Sequence, residues 1–400
     1  MRKLFALVAF MVWTLQASAT DGITIANVSI PESGEAIIEV NLESVTRKYG
    51  GFQFDLQLPA GISATTIVKA ARLKAIEGYV LQMNLSNADD NIYRVLGYNA
   101  SHTEIAENNG TVAYIALRAG SGPVSGNNLT AYIKNVVVST VTPENFDGAN
   151  SSFGITVTNA LSEEELHEDS GTSPTATANA VNVTVYRTIN ANEWSTICLP
   201  FDMSEAQVKI AFGDDVKLAK FSEWGFEGTE ENVTAINVGF TTKDAIEKST
   251  PFILKVSHNI TSFKVCNVII APGTKQRLKE WDSTEGDYNG NMYGTYTART
   301  IGENCLFLAN NKFYYSNGTT TINGLRGWFD FEDIVLKDKN ISDPNASRIT
   351  MSVNDSETTA IKDARQELKT DGLVYNLSGQ QVKNPAKGIY VKDGKKVIIK

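Results

Sequence analysis

An all-β chain is predicted: an N-terminal β-sandwich over residues 20–159, a second β-rich module with one short helix over 181–349, and a small C-terminal β-hairpin element over 372–400. Three observations carry this reading. From residue 23 to about 159, short apolar runs alternate with Gly, Pro, Asn and Asp breaks, the pattern of sandwich strands and their turns. The same pattern returns after residue 180. Near the end, Ser378-Gly379 and Asp393-Gly394 sit between strand-like runs as hairpin signals.

The elements follow in chain order. Arg2 and Lys3 precede an apolar stretch at 4–13, and Ala17-Ser18-Ala19 follows it, the layout of a secretory signal peptide over 1–19. The apolar stretch is too short to cross a bilayer, which takes about twenty residues. In the sandwich, strand-like runs include ITIANVSI, AIIEVNLESV, GFQFDLQL, YVLQMNL, YRVLGYN, TVAYIALRA and LTAYIKNVVVST. Within the third, Phe52, Phe54, Leu56 and Leu58 alternate with Gln53, Asp55 and Gln57, which predicts one buried face. Pro59-Ala60-Gly61 ends that strand. Residues 64–76 can hold a short helix.

Residues 160–180 change composition, becoming acidic and then rich in Ser, Thr, Ala and Pro. This predicts an exposed linker, since little apolar area offsets the ordering entropy. The run Glu163-Glu164-Glu165 reads as solvated charge. The second module shows strands such as VNVTVYRTI, TPFILKVSH and LRGWFDFEDIVL. Its helix starts at an N-cap, Ser204, and Gly213 can end it in the left-handed region. Trp194, Trp224, Trp281 and Trp328 fall in this module and are expected as core and packing residues rather than as a sugar platform. A second polar linker is expected over 350–371.

Charge and rare residues narrow the function classes. The chain of 400 residues, enough for roughly two to three domains, carries 36 Lys+Arg against 45 Asp+Glu, a net −9. An acidic surface disfavours a nucleic-acid partner. The C-terminal block is locally basic, with Lys383, Lys387, Lys392, Lys395, Lys396 and Lys400 against Asp393, which suggests a handle read by other machinery. Only three Cys and three His occur, and no CxxC, HExxH, GxSxG or phosphate-cradling loop is present, so no cofactor is expected. A nucleophile at Cys198 with His258 as base is the sharpest enzymatic reading, yet Cys198 lies in the apolar string Ile197-Cys198-Leu199, where a buried hydrophobe is expected. Cys198, Cys266 and Cys305 can include one disulfide of undetermined pairing. Asn87, Asp89, Asp90 and Asn91 form the densest oxygen cluster, which makes Asp89 and Asp90 weak metal candidates; a solvated hairpin turn is preferred. A glycosidase needs only two suitably spaced carboxylates, so a carbohydrate-active hydrolase stays open as the alternative to binding, and a fibre or surface subunit is the third reading. No catalytic residue is assigned.

Three resemblances add to this. Tyr375-Asn376-Leu377-Ser378-Gly379-Gln380, then Lys387-Gly388-Ile389-Tyr390-Val391, then Gly394-Lys395-Lys396-Val397 is similar to the terminal part of type IX secretion sorting domains on exported Bacteroidetes proteins. This implies a surface location and a partner in the export machinery. GFQFDLQL followed by Pro59-Ala60-Gly61-Ile62, then VLGY at 95–98, then NGTVAYIAL at 109–117 resembles cohesin-like domains and related carbohydrate-binding sandwiches. That resemblance implies a jelly-roll-type sandwich that binds a dockerin-like protein module through one sheet face, with glycan as the alternative partner; it identifies no contact residue. The run Trp194-Ser195-Thr196-Ile197-Cys198-Leu199-Pro200-Phe201-Asp202 looks like a β-rich module of exported Bacteroidetes proteins, and it imports no activity.

Overall fold

A computed structural model describes residues 21–43, 47–106, 109–229, 231–273, 289–332, 334–336, 349–354, 374–375, 388–392 and 395–399. The chain divides into two compact units, Met1–Ser352 and Val353–Lys400. The structure is all-β, as the alternation predicts, with two short helices among the described residues.

The sandwich is built from β1 (Gly22–Thr24), β2 (Val28–Pro31), β3 (Glu35–Glu43), β4 (Tyr49–Gln57), β5 (Ile62–Lys69), β6 (Val80–Asn87), β7 (Ile92–Tyr98), β8 (Asn109–Ala119), β9 (Asn128–Thr140), β10 (Asn145–Asp147) and β11 (Ser151–Thr158). One sheet has the order β1-β3-β8-β5, and the other runs β2-β11-β9-β4-β7-β6 with β10 beside β9. The core lies between them. Phe52, Phe54, Leu56 and Leu58 all point into it and are buried, as their period of two requires. Facing them, Val112, Ala113, Ile115 and Leu117 of β8 are buried as well.

The short helix expected at 64–76 is mostly strand. Ile62–Lys69 forms β5, because Thr65, Thr66, Ile67 and Val68 are β-branched and stiff at χ1. Only α1 (Ala71–Lys74) is helical.

The second module contains β12 (Glu163–His167), β13 (Val181–Ile189), β14 (Trp194–Cys198), α2 (Glu205–Phe212), β15 (Lys217–Thr229), β16 (Asn232–Thr242), β17 (Pro251–Lys255), β18 (Ile260–Val268), β19 (Asn291–Thr295), β20 (Arg299–Thr300), β21 (Glu303–Ala309), β22 (Lys312–Asn317), β23 (Thr321–Ile322), β24 (Arg326–Asp330) and β25 (Ile349–Asn354). Its sheets are ordered β12-β13-β18, β14-β17-β15-β16-β25, β19-β24-β21-β22 and β20-β23. Val183, Val185, Ile197, Phe212, Phe252 and Phe263 belong to its core. Helix α2 starts as expected: the Ser204 hydroxyl accepts from the Gln207 N–H at 3.3 Å and the Gln207 side chain accepts from the Ser204 N–H at 2.9 Å, a capping box. Gly213 closes it with φ +97° and ψ 158°, a glycine conformation but not the left-handed helical one.

Two expected linkers hold strands. Glu163–His167 pairs in parallel with β13 as an edge strand, with Leu166 buried and the glutamates outside. Glu163 is tied to Lys264 and Asn182, so the acidic run has neighbours on the sheet that offset its ordering cost. At the other end, Ile349–Asn354 adds a strand beside β16, and 355–371 lies outside the described residues, as do the signal segment 1–19 and Trp281.

In the second unit, β26 (Val374–Tyr375), β27 (Gly388–Lys392) and β28 (Lys395–Ile399) form an antiparallel sheet. Lys392 pairs with Lys395, which leaves the two-residue connection that Asp-Gly signals in the sequence. Val374 pairs with Lys392. The Ser378-Gly379 signal lies outside the described residues.

Candidate functional site

The two outer surfaces of the sandwich have different fates. The outer face of the four-stranded sheet is covered by α2 and β18. The Lys209 side chain, 2% exposed, places Nζ 2.7 Å from the Lys69 carbonyl and 2.5 Å from Glu205 Oε1. Tyr114 of β8 donates to Glu205 Oε2 at 2.9 Å, and the Lys69 N–H donates to Asp214 at 2.8 Å. Burial, reinforced by the Glu205 charge, pushes the Tyr114 hydroxyl above its ordinary range. Beside this joint runs a cleft of about 380 Å³ lined by Glu35, Ile37, Gln207, Lys264 and Cys266 among others. The buried ammonium is held between the Lys69 carbonyl and the Glu205 carboxylate, and removing one charged partner strands the other.

The outer face of the seven-stranded sheet is open among the described residues. Alternation along β4 directs Gln53, Asp55 and Gln57 outward. Strand register then brings Arg94 of β7 opposite Asp55, and Tyr132 of β9 opposite Gln57. Arg94 grips Asp55 through Nε at 2.8 Å and Nη2 at 2.9 Å, and the Asn135 amide donates to the same carboxylate at 2.8 Å. Under these two groups Asp55 is only 4% exposed. The Arg94 hydrogen bonds, helped by Asn135, hold its carboxyl below the usual carboxylate range despite burial.

Asn135 reaches Asp55 because β9 carries one extra residue there. Gln53 pairs with Val137 and Asp55 with Lys134, and Asn135 takes φ +51°, a β-bulge that re-aims its side chain. Next to it, Lys134 Nζ donates to Gln57 at 2.8 Å and lies 5.2 Å from the Tyr132 ring centre, a cation–π distance. Tyr98 and Tyr132 are exposed at opposite sides of this face. The result is a broad mixed surface of amides, one neutralised acid–arginine pair, a lysine and two separate tyrosines.

The chain matches no family model, and no curated protein matches it. Solved structures to which it is similar include a non-cellulosomal cohesin from the archaeon Archaeoglobus fulgidus, at 14% identity and TM-score 0.28 over 34% of this chain and 92% of that one. Others are the seventh ScaB type I cohesin from Pseudobacteroides cellulosolvens, at 16% identity and TM-score 0.30 over 34% of this chain and 92% of that one, and a cohesin module from a Clostridium perfringens family 33 glycoside hydrolase, at 11% and 0.30 over 36% and 99%.

The residues singled out from sequence are placed as follows. Asp89 and Asp90 sit in the β6–β7 hairpin turn, where the Asn87 side-chain oxygen accepts from both their N–H groups and its amide donates to Asp90 at 2.8 Å. This is an Asx-type turn. Among the described residues, no group of three or more His, Cys, Asp or Glu is arranged to hold a metal ion. Cys198 is buried against Gly294. Burial pushes its thiol up to about 12, with the nearby Arg187 charge opposing, so the thiolate a nucleophile needs is disfavoured. His258 lies beside Gly213 and Asp215 at the end of α2, and no hydrogen bond among the described residues joins it to Cys198. Cys198, Cys266 and Cys305 are all free thiols, so the disulfide that the sequence allows is not formed. Trp224 and Trp328 are buried and Trp194 is half-buried. Arg94, Tyr132, Lys134 and Asn135 were not singled out in the sequence. The signal for the last two was the adjacent polar pair Lys134-Asn135, which interrupts the alternation of LTAYIKNVVVST.

Proposed function

We propose that the chain is an exported, non-catalytic binding protein whose sandwich meets a folded protein module, of the dockerin type, through the outer face of β9, β4, β7 and β6. The observation that supports this reading most is the open face itself. Its charged groups are satisfied within the sheet, so a partner would dock without stranding a buried charge. Its two exposed tyrosines supply the amphipathic anchors that protein interfaces favour. They stand apart, whereas a sugar platform needs neighbouring coplanar rings. Among the described residues no helix is long and apolar enough to cross a membrane. The signal-like start and the basic sorting-like end support export and a surface location, with the terminal block as the part addressed to the export machinery.

The decisive experiment compares the intact sandwich face with a Tyr132→Ala/Lys134→Glu variant in dockerin-module pull-downs and on a glycan array. Capture of a protein module by the unaltered chain, lost in the variant, is the expected result. Glycan capture that survives the variant, or turnover of a glycoside that is lost on substituting single carboxylates, would overturn it. For location, deletion of residues 372–400 is expected to shift the protein from the cell surface to the periplasm; an unchanged distribution would reject the addressing role.

A further inference from the structure

Edge strands present a row of unpaired backbone groups, and proteins guard them with charge, proline or cover. In the sandwich three edges follow that rule. Strand β1 is only three residues long and β2 ends on Pro31. Strand β5 lies against α2, with the Lys69 N–H tied to Asp214. The edge strand β12 of the second module carries Glu163, Glu164 and Glu165. Strand β6 differs. It is an edge strand of the seven-stranded sheet, hydrogen-bonded among the described residues only to β7, and its eight residues VLQMNLSN include no charge, no proline and no glycine. Leu81, Met83 and Leu85 share the core-facing side. The first two pack on the core, while Leu85 remains 52% exposed.

We propose that β6 pairs antiparallel with β6 of a second copy of this chain, about a two-fold axis at Asn84. This register sets Leu85 of each copy beside Met83 of the other, covering the exposed side chain. It sets Gln82 opposite Ser86 and Asn84 opposite Asn84. Asp89 and Asp90 fall opposite Tyr79 and Gly78, so no acid faces an acid. The self-complementary register is what selects a second copy as occupant, since it covers both exposed Leu85 side chains at once, and neutrality permits it. Two chains of net −9 repel over most of their surfaces, whereas here the residue on the axis, which faces its own copy, is the uncharged Asn84. The pair would merge two seven-stranded sheets into one, with the open faces of both copies side by side. This goes beyond the partner assignment, and its test involves no partner.

Sedimentation velocity on the purified full chain, from low concentration up to roughly 100 μM, is expected to show monomers giving way to dimers. Asn84→Lys and Asn84→Asp, each placing like charges across the axis, are expected to weaken self-association roughly tenfold. Mixing the two variants in equal amounts should restore dimers, now of one Lys and one Asp chain, an outcome that misfolding cannot produce. Monomers at every concentration would overturn the proposal. So would dimers indifferent to both substitutions, or variants that stay monomeric when mixed.

Discussion

The sandwich has two outer surfaces made from similar residues, and they are put to opposite use. On the four-stranded sheet, Tyr114 and the Lys69 backbone are matched by Glu205, Lys209 and Asp214 of the second module, so polar groups become a joint. On the seven-stranded sheet, Asp55, Arg94, Asn135, Lys134 and Gln57 satisfy one another, and the surface stays open. What differs is where the counter-groups come from. Supplied by another module, they fix two bodies together; supplied by neighbouring strands, they leave a rigid face for something else to meet.

The largest perturbation removes the distinction by removing both faces. Phe54 is fully buried between the sheets, and Phe54→Ala is expected to cost about 4 kcal/mol in denaturant unfolding; a cost below about 1 kcal/mol would mean the sheets collapse onto the cavity. Lys209→Ala breaks only the joint. It strands the partly buried Glu205 carboxylate and is expected to cost about 3 kcal/mol, whereas Lys209→Met with Glu205→Gln should recover most of it. Equal losses in the single and double variants would show that packing, not charge pairing, holds the modules.

Asp55→Asn breaks only the open face, at an expected cost of about 1–2 kcal/mol near neutral pH, since half-exposed Arg94 regains water. The folded state holds the Asp55 carboxyl below its ordinary value. Its stabilisation is therefore present above the unfolded value of about 4 and fades as pH falls through the lowered folded value. Unfolding curves of the two proteins should differ at pH 7 and converge in acid, and a difference that grows on acidification would contradict this pairing. The smallest effect on stability belongs to Tyr132→Ala/Lys134→Glu, expected to stay within about 0.5 kcal/mol of the unaltered chain while abolishing partner capture. A large stability loss would show that these groups are part of the sandwich's own support.

The sandwich strands were legible because one buried and one solvated face impose a period of two, which Phe52, Phe54, Leu56 and Leu58 display openly. Composition misled where an edge strand carries charge, as in Glu163–His167, since the partners that stabilise it come from residues 182 and 264. The outward direction of Gln53, Asp55 and Gln57 could be read locally. That Asp55 would be buried beneath Arg94 and Asn135 could not, because the pairing depends on the register of three strands. Nor could the joint, where Lys209 occupies a core-facing position on a helix otherwise read by its apolar residues.

The bulge at Asn135 makes β9 a strand read in two phases. Before it, Ala131 and Ile133 face the core; after it, Val136, Val138 and Thr140 do. Asn135 is thus a spacer that resets the alternation. Its deletion would close the bulge into a regular strand, with Val136 and Val138 still inward and Val137 still opposite Gln53, and would take away only the amide that braces Asp55.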